Sequence, residues 1–477
     1  MRRQLVLYLL SAILMMSAGC AIQPAANEEL PVLPEQWHRV PQHTANSAAP
    51  ALVEASAAEN KAGTALWWAR FGTPELTAAV EQALSGNLDI AASAARLEQA
   101  WALARMVGAS RWPEVSAGLD ALHEGRPGGQ AQITGSRFAL GLTASYEADL
   151  WGRLRAERES VVFTALAGEE DARTVALTVS AETAASWITL QSLRQRLAIA
   201  QSDLDSAQRL SAWVRARVEA GSESQLALAQ QETLVANQRA HLAALRQQAA
   251  QAEMLLALWM GQTAVQVSGL DSMSVVLTEL NIPDVAPGLP SDLLTQRPDI
   301  RSAEARLRAA DGNVAAARAA MFPSLMLTAT AGGADGRFTH LLDNPVYSVA
   351  GGLLAPIFNA GRLAAGHEFA LAQRRELLAR YRQSILNGFA DVQMSLDAVA
   401  GTQAQWEAQE DALAQANRAF GLAEVRYREG AETVLSLLDA QRSLYATQDA
   451  AVRRQAERLL AAVGLYRALG GGWDAGE

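Results

Sequence analysis

The sequence predicts an α+β membrane protein built from two copies of one plan, each with a β-hairpin followed by a long helical hairpin. The first observation is an internal repeat. Residues 87–90 correspond to residues 297–300 at an offset of 210, and residues 152–154 correspond to residues 361–363 at an offset of 209. Such a long offset indicates a fold built twice rather than a solenoid.

The second observation is a period of two after Pro113 and after Pro323, in the segments 114–147 and 324–356. Apolar residues alternate there with small or polar residues, which is typical of strands with one apolar face. Each strand is about ten residues long, enough to cross a bilayer when tilted. Two hairpins of a soluble sheet are the alternative. The predicted apolar positions are Val115, Ala117, Leu119, Ala121, Phe138, Leu140, Leu142, Ala144, Tyr146, Leu325, Leu327, Ala329, Ala331, Tyr347, Val349, Leu353 and Ala355.

Four membrane strands require more than one chain. Unpaired backbone groups have no water partner in lipid, so a membrane sheet cannot keep an open edge. Since the smallest barrels have eight strands, four are too few to close one. Two copies would give eight strands and three copies twelve, and the pattern leaves both open.

The third observation is helical length. The predicted long helices cover 152–219 and 360–428, and the return helices cover 223–259 and 432–468. Sharp turns at Gly221 and Gly430 separate them. Leucines recur every seven residues at 190, 197 and 204, which indicates a coiled-coil seam. Shorter leading helices are predicted over 76–111 and 298–321.

The N-terminus predicts a secretion signal over residues 1–19. Residues 17–20 resemble the lipobox of bacterial lipoproteins, which implies a lipid on Cys20, the only cysteine. A chance cysteine at a secretory cleavage site is the alternative. Residues 20–65 follow as an extended lead-in. The remaining boundaries are 66–265 for the first repeat, 266–296 for the linker, 297–469 for the second repeat and 470–477 for the tail. The formal net charge of −10 argues against nucleic-acid binding.

No catalytic, cofactor-binding or metal-binding pattern is present, and the six histidines form no metal-spaced pair. One polar set lies near the second turn. Leu435 and Asp439 are one helical turn apart, Arg442 lies close to the same face, and Tyr427 precedes the turn. An ordinary intrahelical Asp–Arg pair is the alternative to a functional role.

Residues 67–72, 288–294, 297–300 and 427–445 resemble the TolC-like outer-membrane efflux factors. The similarity is to the lipoprotein (NodT-type) branch that serves resistance-nodulation-division (RND) pumps, and it covers about residues 66–469. The resemblance implies a homotrimer with a twelve-stranded barrel in the outer membrane and a twelve-helix α-barrel in the periplasm. It therefore favours three copies over two.

The resemblance also assigns roles to the polar set. Leu435 and Asp439 would form a ring at the periplasmic aperture, and Tyr427 and Arg442 would hold the helices inward. A periplasmic adaptor would contact the hairpin tips at Gly221 and Gly430, and an inner-membrane RND pump would power export.

The implied function is a passive duct that exports drugs or other small toxic compounds. Alternatives are a duct for type I protein secretion or metal export, or a periplasmic adaptor lipoprotein of a different class. A barrel should stay with the outer membrane in a Cys20→Ser variant, whereas an adaptor should not.

Overall fold

The structure, a computed structural model, describes residues 31, 34, 36, 37, 67–125, 134–263, 276–283, 285 and 288–471. The chain divides into two units, Met1–Leu33 and Pro34–Glu477. The predicted signal segment 1–19, Cys20 and nearly all of 20–65 lie outside the described residues, as do parts of the linker and tail.

The two halves of the chain contain the same elements in the same order. Both long helices have 67 residues and both return helices have 35. The first half contains α1 (Pro74–Gly86), α2 (Leu88–Ala109), β1 (Glu114–Gly125), β2 (Thr134–Ala148), α3 (Arg153–Glu219) and α4 (Gln225–Trp259). The second half contains α5 (Leu293–Gln296), α6 (Pro298–Ala319), β3 (Ser324–Asp335), β4 (Val346–Leu354), α7 (Arg362–Arg428) and α8 (Val434–Ala468). At 1.5 Å per residue, α3 and α7 each extend roughly 100 Å.

The single helix predicted over 76–111 is wrong, because the chain breaks at Asn87 into α1 and α2. The Asn87 side-chain oxygen accepts hydrogen bonds from the amides of Asp89 (2.8 Å) and Ile90 (3.3 Å) and so caps α2. Its backbone is extended at φ −71° and ψ 131°. Helix α1 buries an apolar stripe of Leu76, Ala79, Val80 and Ala83, whereas α2 buries only Ser93 and Ala104, so the cap residue itself, rather than a change of apolar period, marks the break.

Asn87 also holds two elements together. Its side-chain nitrogen donates to the carbonyl of Trp259 at the end of α4 (2.9 Å). In the second half, the Arg297 guanidinium donates to the carbonyl of Ala468 at the end of α8 (2.8 Å). Both contacts satisfy a helix C-terminal carbonyl, which has no partner within its own helix.

Helix α3 is the central element. It packs against α2, α4, α6 and α8, while α7 packs against α6 and α8. The predicted heptad leucines Leu190 and Leu204 are buried, and Leu197 is partly buried against the core. Each fully buried leucine contributes about 2 kcal/mol of hydrophobic stabilisation. The seam therefore fixes α3 against its neighbours over residues 190–204.

None of the helices in the described part of the chain has an 18-residue stretch apolar enough to serve as a membrane-spanning helix.

Candidate functional site: a two-faced sheet and two helical tips

The four strands form one antiparallel sheet in the order β1-β2-β3-β4. Strand β2 of the first half pairs with β3 of the second half, with Leu142 opposite Ala331. The pairing of Leu119 with Leu140 and of Ala329 with Val349 extends the same face across the sheet. The predicted apolar positions that lie within the four strands thus fall on one face, whereas the predicted position Ala355 lies just beyond the end of β4.

This apolar face is open. Val115 is 65% exposed, Tyr347 is 85% exposed and Val349 is 78% exposed. An exposed apolar surface on this scale indicates a contact with lipid or with another protein.

The opposite face carries small, hydroxyl-bearing and charged side chains, with Leu122, Met326, Val346 and Leu354 as its larger apolar members. Ser116, Thr143, Thr330 and Ser348 form one row across the sheet. The hydroxyls of Thr330 and Ser348 are 2.7 Å apart, within hydrogen-bond distance. The sheet therefore has one apolar face and one face suited to water.

The two outer strands each have one neighbour. In the part of the chain that the structure describes, β1 pairs only with β2, and β4 pairs only with β3. The outward backbone groups of both strands therefore have no strand partner within this sheet. Such edges are templates for pairing with another chain.

At the other end of the helices, both hairpins turn through the same motif. Gly221 and Gly430 both have φ of +74°, a left-handed conformation that strongly favours glycine. The amide of Ser222 donates to the carbonyl of Arg217, and the amide of Ala431 donates to that of Arg426 (both 2.9 Å). These bonds satisfy carbonyls at the helix ends.

The two tips contact each other through reciprocal aromatic–cation pairs. The Arg217 guanidinium lies 4.4 Å from the ring centre of Tyr427 and donates to the carbonyl of Arg428 (3.0 Å). The Arg428 guanidinium lies 5.5 Å from the ring of Trp213. Burial and the charge of Glu223 raise the pKa of Tyr427, so this side chain is neutral at physiological pH. The tips are thus joined by contacts from both hairpins.

The predicted polar set is divided in this protomer. Leu435 and Asp439 lie one turn apart on the exposed side of α8. Tyr427 is buried under Arg217. Arg442 is exposed and lines a cavity of about 320 Å³ between α3, α4 and α8.

That cavity contains an acidic pair that the sequence analysis did not find. The Arg196 guanidinium donates to both carboxylate oxygens of Asp449 (2.6 and 3.3 Å), and Arg453 lies 3.0 Å from Asp449 Oδ2. Asp203 is only 8% exposed. Burial and the charge of Asp449 raise the pKa of Asp203 to about 7.

A sequence signal for Asp203 does exist. It lies three residues after Ala200 and four before Ala207, and both alanines are buried on the seam. A carboxylate at a seam position is costly to bury unless it is paired. An aspartate among the apolar seam positions is therefore a signal that can be found in the sequence. Over the described residues, no group of three or more His, Cys, Asp or Glu side chains is placed to hold a metal ion.

The chain matches the outer membrane efflux protein family over residues 79–262 and 289–471. The chain belongs to this family. The two matched segments begin 210 residues apart and end 209 residues apart.

Relatives of known name cover most of the chain. OpmQ of Pseudomonas putida, a pyoverdine export outer membrane protein, is 44% identical over 86% of this chain and 88% of its own length. OpmQ of Pseudomonas aeruginosa is 40% identical over 98% of this chain and 97% of its own length. CusC of Escherichia coli, a cation efflux system protein, is 31% identical over 96% of both chains.

Solved structures agree with the fold. A crystal structure of CusC has a TM-score of 0.81 at 28% identity and covers 95% of this chain and 100% of that chain. The outer-membrane channel OprN has a TM-score of 0.77 at 30% identity and covers 86% of this chain and 93% of its own.

The predicted resemblance to efflux factors and the predicted location are confirmed. The protein lies in the outer membrane and is an outer-membrane duct for tripartite efflux. Its family consists of channel proteins rather than enzymes.

Proposed function

We propose that three copies of this chain form a passive export duct with a twelve-stranded barrel in the outer membrane. The register of the sheet carries the proposal, because it gathers the apolar side chains on one face and the hydroxyl row on the other. The apolar face would contact lipid, and the polar face would line a water-filled lumen. The free edges of β1 and β4 would pair between neighbouring copies.

The helices would continue the duct as a twelve-helix α-barrel in the periplasm. Segments 66–265 and 297–469 would each contribute one hairpin per protomer, joined by the linker 266–296. The matching turns at Gly221 and Gly430 support two similar contact points per copy for a periplasmic adaptor. An inner-membrane RND pump would drive transport, since the duct itself has no energy source.

The cargo would be small compounds. Relatives at 40% and 44% identity are named for pyoverdine export, and one at 31% is named for cation efflux. This spread supports a duct that tolerates different cargo, with selection by the pump. A lipid on Cys20 would add a second membrane anchor, and the barrel should keep a Cys20→Ser variant in the outer membrane.

We propose that the tip region of α8 closes the duct. The exposed Leu435 and Asp439 would form rings of three around the axis, and Arg442 would stabilise the inward position of the helices. Tyr427 would act indirectly, because its ring packs under Arg217 and joins the two hairpins.

Single-channel conductance in a planar bilayer tests this proposal. The wild-type pore should be small and mostly closed, whereas Asp439→Ala should widen it and Arg442→Ala should open it more often. Asp205→Ala is a matched control, since Asp205 is an exposed acidic residue on α3.

Unchanged conductance in both gate variants would contradict the gate. A well-folded wild-type protein and variants without any conductance would contradict the duct and favour the adaptor alternative.

A further inference from the structure

We propose that Asp203 is a positioning residue of the proposed gate, a buried carboxylate that competes for Arg442 as the pH changes. The inference rests on the proposed gate and adds a regulator that lies on a different helix from Leu435 and Asp439.

Asp203 and Arg442 meet at one cavity between the two helical hairpins. Asp203 lies on α3 and Arg442 on α8, and both line the same space of about 320 Å³. Opening of the gate by movement of α8 would have to change this space. The other charged or titratable groups around the cavity are Arg196 from α3, His241 from α4, and Tyr445, Asp449 and Arg453 from α8.

The two carboxylates of the cavity differ in their partners. Asp449 is held by Arg196 at 2.6 Å and by Arg453 at 3.0 Å, and His241 Nε2 lies 3.8 Å away. Among the described residues, no hydrogen bond or ion pair engages the Asp203 carboxylate, although only 8% of this residue is exposed. The Arg442 guanidinium likewise forms no ion pair within the described part of this protomer. An unpaired buried acid and an unpaired arginine thus share one cavity.

The protonation state of Asp203 decides what this pair does. When protonated, Asp203 neither repels Asp449 nor attracts Arg442, so α8 packs against α3 and Arg442 remains available to the gate. When ionised, Asp203 repels Asp449 across the seam and offers Arg442 a partner inside the protomer. Both effects favour opening.

The pH range follows from the pKa of Asp203, which is raised from 3.8 to about 7 in this packing. If opening hydrates Asp203 and returns its pKa toward the ordinary value, closure is favoured at low pH and is lost as the pH rises toward 7. The open population then increases by at most about tenfold per pH unit in this range and levels off above it.

The test is open probability in planar bilayers from pH 5.0 to 8.0, with the full-length protein. The wild type should open more often as the pH rises, by at least about threefold between pH 5.5 and 7.5, and Asp203→Asn should keep its low-pH behaviour throughout. Asp205→Asn and His241→Gln are controls that should retain the wild-type profile. His241 needs this control because its imidazole lines the same cavity and lies 3.8 Å from Asp449.

A pH profile that persists in Asp203→Asn, or that disappears in His241→Gln, overturns the proposal. If Asp203→Asn forms no channels, Arg442→Gln decides instead, because this exposed residue can change without disturbing the core. Arg442→Gln should still conduct and should show a weaker pH dependence than the wild type, because only the repulsion between Asp203 and Asp449 remains. A full wild-type profile in Arg442→Gln overturns the proposal.

The two proposals fail in distinguishable ways. Unchanged conductance in Asp439→Ala and Arg442→Ala removes the gate itself. If those variants give wider or more open pores but the pH profile does not depend on Asp203, the gate stands and only the proposed role of Asp203 is contradicted.

Discussion

At the scale of single residues, the two halves use different side chains for one task. Asn87 and Arg297 occupy equivalent positions in the repeat. The side chain of each donates a hydrogen bond to the carbonyl of the last residue of the return helix in its own half. The guanidinium also pairs with Asp299 (2.8 Å) and Asp391 (3.1 Å). A charged donor is worth about 1.5–3 kcal/mol, against about 1 kcal/mol for a neutral amide. The second half is therefore fastened more strongly at this point.

The buried Asp203 gives a stability prediction that does not depend on the gate. Because its pKa in the fold is raised above 3.8 to about 7, its contribution to stability is fully present below pH 3.8 and is lost as the pH rises through 7. Asp203→Asn should therefore raise the melting temperature at pH 8, with a stabilisation on the order of 2 kcal/mol, and change it little at pH 4.5. Thermal melts followed by helical circular dichroism in detergent measure the difference.

Asp205→Asn serves as the reference, because it removes the same charge from an exposed site on the same helix. If Asp203→Asn raised the stability equally at both pH values, ionisation of Asp203 would not be what destabilises the wild-type fold.

Sequence reasoning at this scale found Leu435, Asp439, Arg442 and Tyr427 but assigned them to one cluster. The period of α8 predicts which residues share its exposed face. It does not predict that Tyr427 lies under Arg217, since that contact joins helices more than 200 residues apart. The pairing of Asp449 with Arg196 was missed for the same reason.

At the scale of elements, the helical tips depend on one backbone conformation. Gly221 and Gly430 have φ of +74°, where a Cβ atom is strained, although the space around each is open. Gly221→Ala and Gly430→Ala should each destabilise their own turn by about 1 kcal/mol. Hydrogen exchange of the amides at the affected tip should become roughly fivefold faster, as this free energy implies.

Gly421→Ala is the matched control. Gly421 lies inside α7, and a Cβ atom there meets nothing within 4 Å. This change should stabilise α7 by about 0.5–1 kcal/mol through helix propensity. Equal exchange rates at the tips of Gly430→Ala and the wild type would mean that the turn tolerates alanine.

The elements also show where a sequence pattern is sufficient. Alternation placed the strands in 114–147 and 324–356, because a period of two determines which side chains share a face. The pairing of β2 with β3 joins the two repeats and does not follow from alternation within either one. The break at Asn87 depends on one capping side chain, which a search for apolar periods does not detect.

At the scale of the whole molecule, the open edges of the sheet and its polar face constrain the assembly. A four-stranded sheet with free β1 and β4 edges cannot lie in a bilayer alone. In an eight-stranded barrel, interior side chains fill the lumen. The row of Ser116, Thr143, Thr330 and Ser348 offers only short side chains for that purpose. These short side chains support the wider, twelve-stranded barrel that three copies would form.

Subunit counting tests this directly. Native mass spectrometry of the detergent-extracted complex should give about three times the mass that the same sample gives for the single denatured chain, whose 477 residues amount to 50.8 kDa. Co-expression of chains with and without a mass tag sharpens the count, because trimers give four species, two of them mixed, and dimers give three species, one of them mixed. Three species, or a complex of twice the chain mass, would exclude the twelve-stranded barrel. A stable monomer would show that β1 and β4 are protected within one chain, so the edge argument itself would fail.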